Sequence, residues 1–365
     1  MKRFVKKILS FLLTIAVLFG IWFFFHGWIE RQIQKARGLY YIHKGDQAYA
    51  QENIEKTLYF YKKGLSLYPK HYEAWFNLGN IYTVYEDYYS AVDAYQNAIK
   101  YNPKFVMARM NLGIIYSEEL GFFDEAIEQF ETIPNIKLWS LWIPFIYSNV
   151  KSIRGNKGIA YYNEGVAYKQ KAMFLPLEQK YMMRQYLADA INAYTKSLKY
   201  LKKNYDVYYN RAVAHHLRGD THLAGLDYCK AIELKPTKYE AHYNLAVLLS
   251  HLKYYREALK EMQKANSILT GTNGNSNQTR YMFDVMSDVT RNVLKDEGGM
   301  KYLTEEYAKE NKSEEDGLVY VDGKVIASED LDKSVTKSLG NCPARSIFRD
   351  EDDLREYNDV GGILN

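Results

Sequence analysis

A spacing of about 34 residues recurs along the chain, and no other feature restricts its fold so tightly. Residues 72–105, YEAWFNLGNIYTVYEDYYSAVDAYQNAIKYNPKF, are the clearest copy. Trp75, Leu78, Gly79 and Tyr82 recur at helical spacing in its first half, Ala91, Tyr95 and Ala98 do so in its second, and Pro103 closes it. The pattern predicts two antiparallel helices. Gly or Ala at copy positions 8, 20 and 27 lets the helices approach, and large residues at 4, 11 and 24 fill the space between them. Partial copies lie at 38–71 (Tyr41, Gly45, Ala48, Tyr61, Gly64, Pro69) and 106–134 (Leu112, Gly113, Tyr116, Ala126, Phe130). Others start at Gly158 (Tyr161, Gly165, Tyr168, Ala190, Tyr194, Ser197), Tyr205 (Tyr208, Ala212, Ala224, Tyr228, Ala231, Pro236) and Tyr239 (Leu245, Ala246, Ala258, Met262, Ala265). One helix pair buries little alone. About six stacked pairs share a continuous core, so an all-α solenoid is expected over roughly residues 38–267.

The copy at 72–105 matches all eight of its signature positions to the tetratricopeptide-repeat family, which the chain therefore resembles over that stretch. The resemblance implies a right-handed superhelix that binds other proteins or peptides in its concave groove. Two departures interrupt the array. Residues 137–153, KLWSLWIPFIYSNVKSI, place Trp139, Trp142, Phe145 and Tyr147 between the third and fourth copies. They read either as an extra helix stopped by Pro144 that covers a core edge, or as a dimer or membrane-surface contact. Ala172 to Gln185 lengthen the inter-helix turn of the fourth copy and should extend both its helices.

At 100° per residue, first-helix positions 4, 7, 8 and 11 share one face, and positions 2, 6, 9 and 13 lie opposite, toward the groove. Position 6 is Asn77, Asn111, Asn163, Asn210 and Asn244 in the second to sixth copies and His43 in the first. A row of amides, each with a donor and an acceptor, suits the backbone of an extended peptide. It equally suits bonding between neighbouring repeats. In arrays of the resembled family, a similar ladder holds substrate backbone. Phe76, Tyr162, Tyr209 and Tyr243 at position 5, with Asn80, Val213 and Val247 at position 9, complete the candidate site. Position 5 fits packing on the adjacent repeat equally well. The carboxylate clamp of some family members needs several basic groove residues, and only Lys169 is present.

Ahead of the repeats, Ile8 to Trp28, ILSFLLTIAVLFGIWFFFHGW, carries no ionised residue and has the length of a bilayer-crossing helix. Lys2, Arg3, Lys6 and Lys7 precede it as a signal peptide would require, but the run ends in Trp22, Phe23, Phe24 and Phe25 and lacks a small-x-small cleavage site. A retained anchor is expected, N-terminus cytoplasmic and repeats outside the cytoplasm, in the periplasm if the source is Gram-negative. The inferred layout is a basic segment 1–7, an anchor 8–28, repeats 29–134, an aromatic insert 135–157, repeats 158–267, a linker with a capping helix 268–294, and an acidic tail 295–365. Disorder is the expectation for most of that tail, and LVYVDGKVIA at 318–327 has the Asp-Gly turn of a two-residue hairpin.

The net charge of +4 conceals a split: residues 295–365 hold 10 Lys/Arg against 18 Asp/Glu, leaving a basic body. Its cations are spread among tyrosines and glutamates, so no nucleic-acid track is formed. Cys229 and Cys342 stand far apart, offer neither a disulfide framework nor a CxxC metal site, and fit a reducing compartment or a cysteine-avoiding oxidising one. Cys229 reads as a small core residue. His215, His216, His222, His242 and His251 gather in the last two copies, but His215 and His242 occupy packing positions, so no metal site is assigned. No Walker loop, GxSxG elbow or HExxH is present, and neither catalysis nor a cofactor is expected. The inferred function is a membrane-tethered scaffold for a protein or peptide, in envelope assembly, secretion or polysaccharide export. The alternatives are a self-associating lattice and the substrate-binding subunit of a separate transferase.

Overall fold

The computed structural model describes residues 2–136, 147–271, 320–321, 324–325 and 342–348. The Trp-rich part of the insert, the capping helix and most of the acidic tail fall outside the described residues. Twelve α-helices occur among them, and the fold is an all-α array of helix pairs. The chain divides into two compact units, residues 1–122 and 123–365, with the boundary inside the third copy of the repeat.

In the first unit α1 (Lys2–Ala50) runs unbroken from the basic N-terminus through the apolar run and becomes the leading helix of the first repeat. Its segment from Leu13 is long and apolar enough to cross a membrane, and the apolar window in it is not buried against any of the described residues. Burial begins at Gly38, where α1 meets α2 (Ile54–Leu67). α3 (Tyr72–Val84) and α4 (Tyr88–Tyr101) form the second pair, and α5 (Val106–Ile114) continues into a π-helical turn at Ile115–Glu119.

The second unit opens with α6 (Phe123–Asn135), which packs on α7 (Tyr147–Met173). α7 pairs with α8 (Lys180–Leu198) across a turn containing a 3-10 segment at Leu177–Gln179, and apart from α1 both are longer than every other repeat helix, as the insertion in this copy implied. α9 (Tyr205–Arg218) with α10 (Thr221–Leu234), and α11 (Tyr239–His251) with α12 (Tyr255–Gly271), complete the array. Two-residue strands Tyr320–Val321 and Lys324–Val325 pair antiparallel, Tyr320 opposite Val325 and Val321 opposite Lys324.

Short polar residues start these helices. Asn53, Asp87 and Asn204 each accept a hydrogen bond from the backbone N–H three residues on, satisfying a donor the helix cannot. The turns before the second helices need a left-handed residue: Gly219 supplies it at φ 99° in the fifth repeat, while Glu52, Glu86 and Lys253 adopt it at some steric cost elsewhere. Inside the pairs the small-residue positions do what the spacing predicts. A Cβ added at Gly79 would lie 2.6 Å from the Tyr95 ring, and one at Gly165 would lie 2.6 Å from Tyr194. Tyr61, Tyr95, Tyr194 and Tyr228, all at position 24, are buried, each worth about 1.5–3 kcal/mol by the area it removes from water.

One reading from the sequence is overturned. Cys229 and Cys342 form a disulfide, their Cα atoms 5.5 Å apart across 113 residues of chain. Cys229 is indeed buried on α10. Its partner arrives on the 3-10 helix Pro343–Phe348, which packs against α10. Sequence distance hid a pairing that the fold of the fifth repeat makes local.

Candidate functional site

The six asparagines and four aromatics proposed from the sequence as groove-lining are all half-buried, which is what side chains at the edge of a packed array should be. They fall in both units. Phe76, Asn77, Asn80 and Asn111 belong to the first; Tyr162, Asn163, Tyr209, Asn210, Tyr243 and Asn244 belong to the second.

Asn77, Asn111, Asn210 and Asn244 at position 6 each reach back to a tyrosine of the preceding repeat. Asn77 Nδ2 donates over a long 3.5 Å to Tyr61 Oη, and Asn111 Nδ2 donates to Tyr95 Oη at 3.3 Å and to Asn80 Oδ1 at 3.0 Å. Tyr95 Oη itself donates to Asn80 Oδ1 at 2.8 Å. Further along, Asn210 Nδ2 donates to Tyr162 Oη at 3.1 Å and to the Asp206 carbonyl at 2.8 Å, and Asn244 Nδ2 donates to Tyr209 Oη at 2.8 Å. The amides therefore bond between repeats, through side chains rather than backbone. Each bond also fixes the plane of its amide. Asn77, Asn111 and Asn244 keep an Oδ1 acceptor with no hydrogen-bond partner among the described residues.

The position-5 aromatics pack at the same time as they line. Phe76 stands edge-on to Phe105 with ring centroids 5.0 Å apart, Tyr162 tilts against Tyr194, and Tyr209 stacks on Tyr205 at 5.6 Å. Lys169 is half-buried beside them and donates to Asn210 Oδ1 at 2.6 Å. Burial lowers its amine to about 8, so a single cation, mostly charged at neutral pH, stands within the second ladder segment.

A buried polar set went unseen in the sequence. Arg211 makes a bidentate pair with Asp227, at 2.7 and 2.8 Å, and donates to Thr195 Oγ1 at 3.0 Å. His242 bonds the buried Glu261 at 2.6 Å. Burial alone would raise the Glu261 carboxyl, but hydrogen bonds from His242 and Lys264 hold it below the usual carboxylate range. Glu164 has the opposite fate: burial, with Oε2 unpartnered, pushes it up to about 7. His215 is spent on Asp220 at 3.0 Å, and among the described residues no group of three or more potential metal ligands assembles.

Three stretches, residues 72–105, 184–239 and 239–268, match models of the tetratricopeptide repeat. These stretches of the chain are tetratricopeptide repeats. The chain is 28% identical over 231 residues to a TPR repeat-containing protein of Methanocaldococcus jannaschii, covering 61% of this chain and 36% of that one. Over 80 residues it is 38% identical to the peroxisomal targeting signal receptor of Candida albicans, covering 22% of this chain and 13% of the receptor. It thus spans about a third or less of the curated relatives it matches. Among solved structures, the crystal structure of the MamA protein aligns with a TM-score of 0.42 at 21% identity, over 55% of this chain and 92% of that one.

Proposed function

We propose that this tetratricopeptide-repeat protein is a membrane-tethered scaffold that binds extended protein segments along the asparagine ladder of each unit and catalyses nothing itself. The observation that carries the reading is the fixed orientation of the amides. Each amide holds a tyrosine of the preceding repeat through its Nδ2, and the acceptors of Asn77, Asn111 and Asn244 remain for the N–H groups of a ligand strand. A preset amide loses little freedom on binding, which favours affinity without dependence on ligand sequence. The neighbouring aromatics Phe76, Tyr162, Tyr209 and Tyr243 would take apolar side chains, and Lys169 an acidic one.

The tether reading draws on the apolar run, its exposure, and its continuity with the first repeat helix. Four basic residues before the run orient the N-terminus to the cytoplasm and the repeats outside it, where envelope assembly, secretion or polysaccharide export would supply the ligand. To test the site, Asn111, Asn210 and Asn244 are replaced together by Ala in the full chain, and partners are trapped by a photo-crosslinker at Val247. Loss of the crosslinks with helical content unchanged supports the groove; retained crosslinks reject it.

Self-association has one observation of its own. At the extended turn of the fourth repeat, Met173, Phe174, Leu177 and Tyr181 are 62%, 78%, 84% and 74% exposed, more apolar surface than a turn needs. A sedimentation series on the detergent-solubilised chain separates the readings: a concentration-independent monomer removes self-assembly.

A further inference from the structure

We propose that residues 342–348 are a strap laid across the fifth repeat and locked by Cys229–Cys342, and that the lock assigns the repeats to a thiol-oxidising compartment. The strap has a prepared seat. At copy position 21 the other five repeats carry Leu58, Val92, Ile127, Ile191 and Leu259, whereas the fifth carries Gly225. The missing side chain is replaced by Phe348, which is fully buried there; a Cβ on Gly225 would lie 2.4 Å from its ring. Arg345 adds an ion pair to Glu233 at 2.6 Å, one turn of α10 beyond Cys229. Apolar fit, ion pair and disulfide are three separate contacts converging on one helix face. Two of them involve a residue the repeat pattern does not call for: Gly225 where others are aliphatic, and Cys229 where Lys62, Gln96, Glu131, Thr195 and Gln263 are polar.

Docking brings the two thiols together, and an external disulfide donor completes the lock. One thiolate attacks the donor to give a mixed disulfide and releases one donor thiol. The second displaces the other, so two cysteine thiols are oxidised while one donor disulfide is reduced to two thiols. Both cysteines are then buried, Cys342 at 8% exposure and Cys229 at 0%, which keeps soluble reductants from reversing the step. Compartments held reducing by glutathione do not install such a bond, while periplasmic, extracellular or lumenal ones do. The proposal is independent of what the ladders bind.

The test uses the full chain in its own membrane. Cells are quenched in acid to trap thiols, and the denatured protein is treated with a polymer-bearing maleimide. The expected result is no gel shift without prior reduction, a two-step shift after it, and a one-step shift for C342S. A two-step shift without reduction overturns the compartment assignment. Phe348→Ala leaves the repeats intact and tests the seat: trypsin should cleave at Arg345 about tenfold faster than in the wild type, as local opening becomes easier, and unpaired thiols should appear. Wild-type protection and thiol state in that variant overturn the strap.

Discussion

The two units carry the same asparagine at position 6 but wire it differently. In the first, Asn77 and Asn111 reach position-24 tyrosines on second helices, Tyr61 and Tyr95. In the second, Asn210 and Asn244 reach position-5 tyrosines on first helices, Tyr162 and Tyr209. The hydroxyl supply explains the change. Tyr95 Oη lies within reach of Asn80, Thr83 and Asn111, whereas Tyr194 Oη is sealed in the core with no partner and Tyr228 Oη turns to His216. Packing position 7 diverges in parallel: Leu78 in the first unit's second copy, Glu164 and Arg211 in the second unit's first two. One repeat grammar thus accepts an apolar or a polar interior, and the groove amides follow whichever hydroxyls remain.

Removing one side of the Arg211 pair is the hardest blow to this contrast. Asp227→Ala strands a buried guanidinium and should cost about 3–5 kcal/mol, read in denaturant unfolding and as lost hydrogen-exchange protection in α9 and α10. The matching positions of the second copy are Leu78 and Ala94, both buried. Arg211→Leu combined with Asp227→Ala rebuilds that pair and should recover most of the loss. If the double variant is as unstable as the single, the two interiors are not interchangeable.

Glu164 comes next, with a pH signature. Its carboxyl is raised from 4.5 to about 7, so folding favours the protonated form. The contribution is full below pH 4.5 and is lost as pH rises through 7, leaving a buried charge at pH 8. Glu164→Gln removes that penalty and should stabilise by about 2–3 kcal/mol at pH 8 and by little at pH 5. Equal effects at both pH values would contradict the assignment.

Where the units agree, equivalent changes should cost the same. Gly79→Ala and Gly165→Ala each push a Cβ to 2.6 Å from a position-24 tyrosine, and each should destabilise by about 1–3 kcal/mol. These contacts were legible in the sequence because small and large residues at fixed spacing are what the helix pair is made of. The strand pairing of Tyr320 with Val325 was legible for the same local reason. The amide positions were legible too, as a face, but not their partners: which tyrosine an asparagine finds depends on which hydroxyl the core has already sealed. Arg211 and Glu164 stood at a packing position and could have been flagged as charges needing an explanation. Gly225 was visible only as a gap at position 21, and nothing near it in sequence announced Phe348. Long-range pairing of the cysteines lay beyond any periodicity.

The smallest expected effects bear on the ladder itself. Asn244→Ala and Tyr209→Phe each break one neutral hydrogen bond and should each cost about 1 kcal/mol, with a coupling of similar size in a double-mutant cycle. Tyr95→Phe removes a hydroxyl that donates to Asn80 and accepts from Asn111, so its cost should exceed that of Tyr209→Phe. Ligand capture should follow a different order. Tyr209→Phe leaves the Asn244 amide in place but no longer fixed, so binding should weaken severalfold while stability falls only slightly. If capture tracks stability across all three variants, the amides are repeat staples alone, and the ligand must be held by other surfaces.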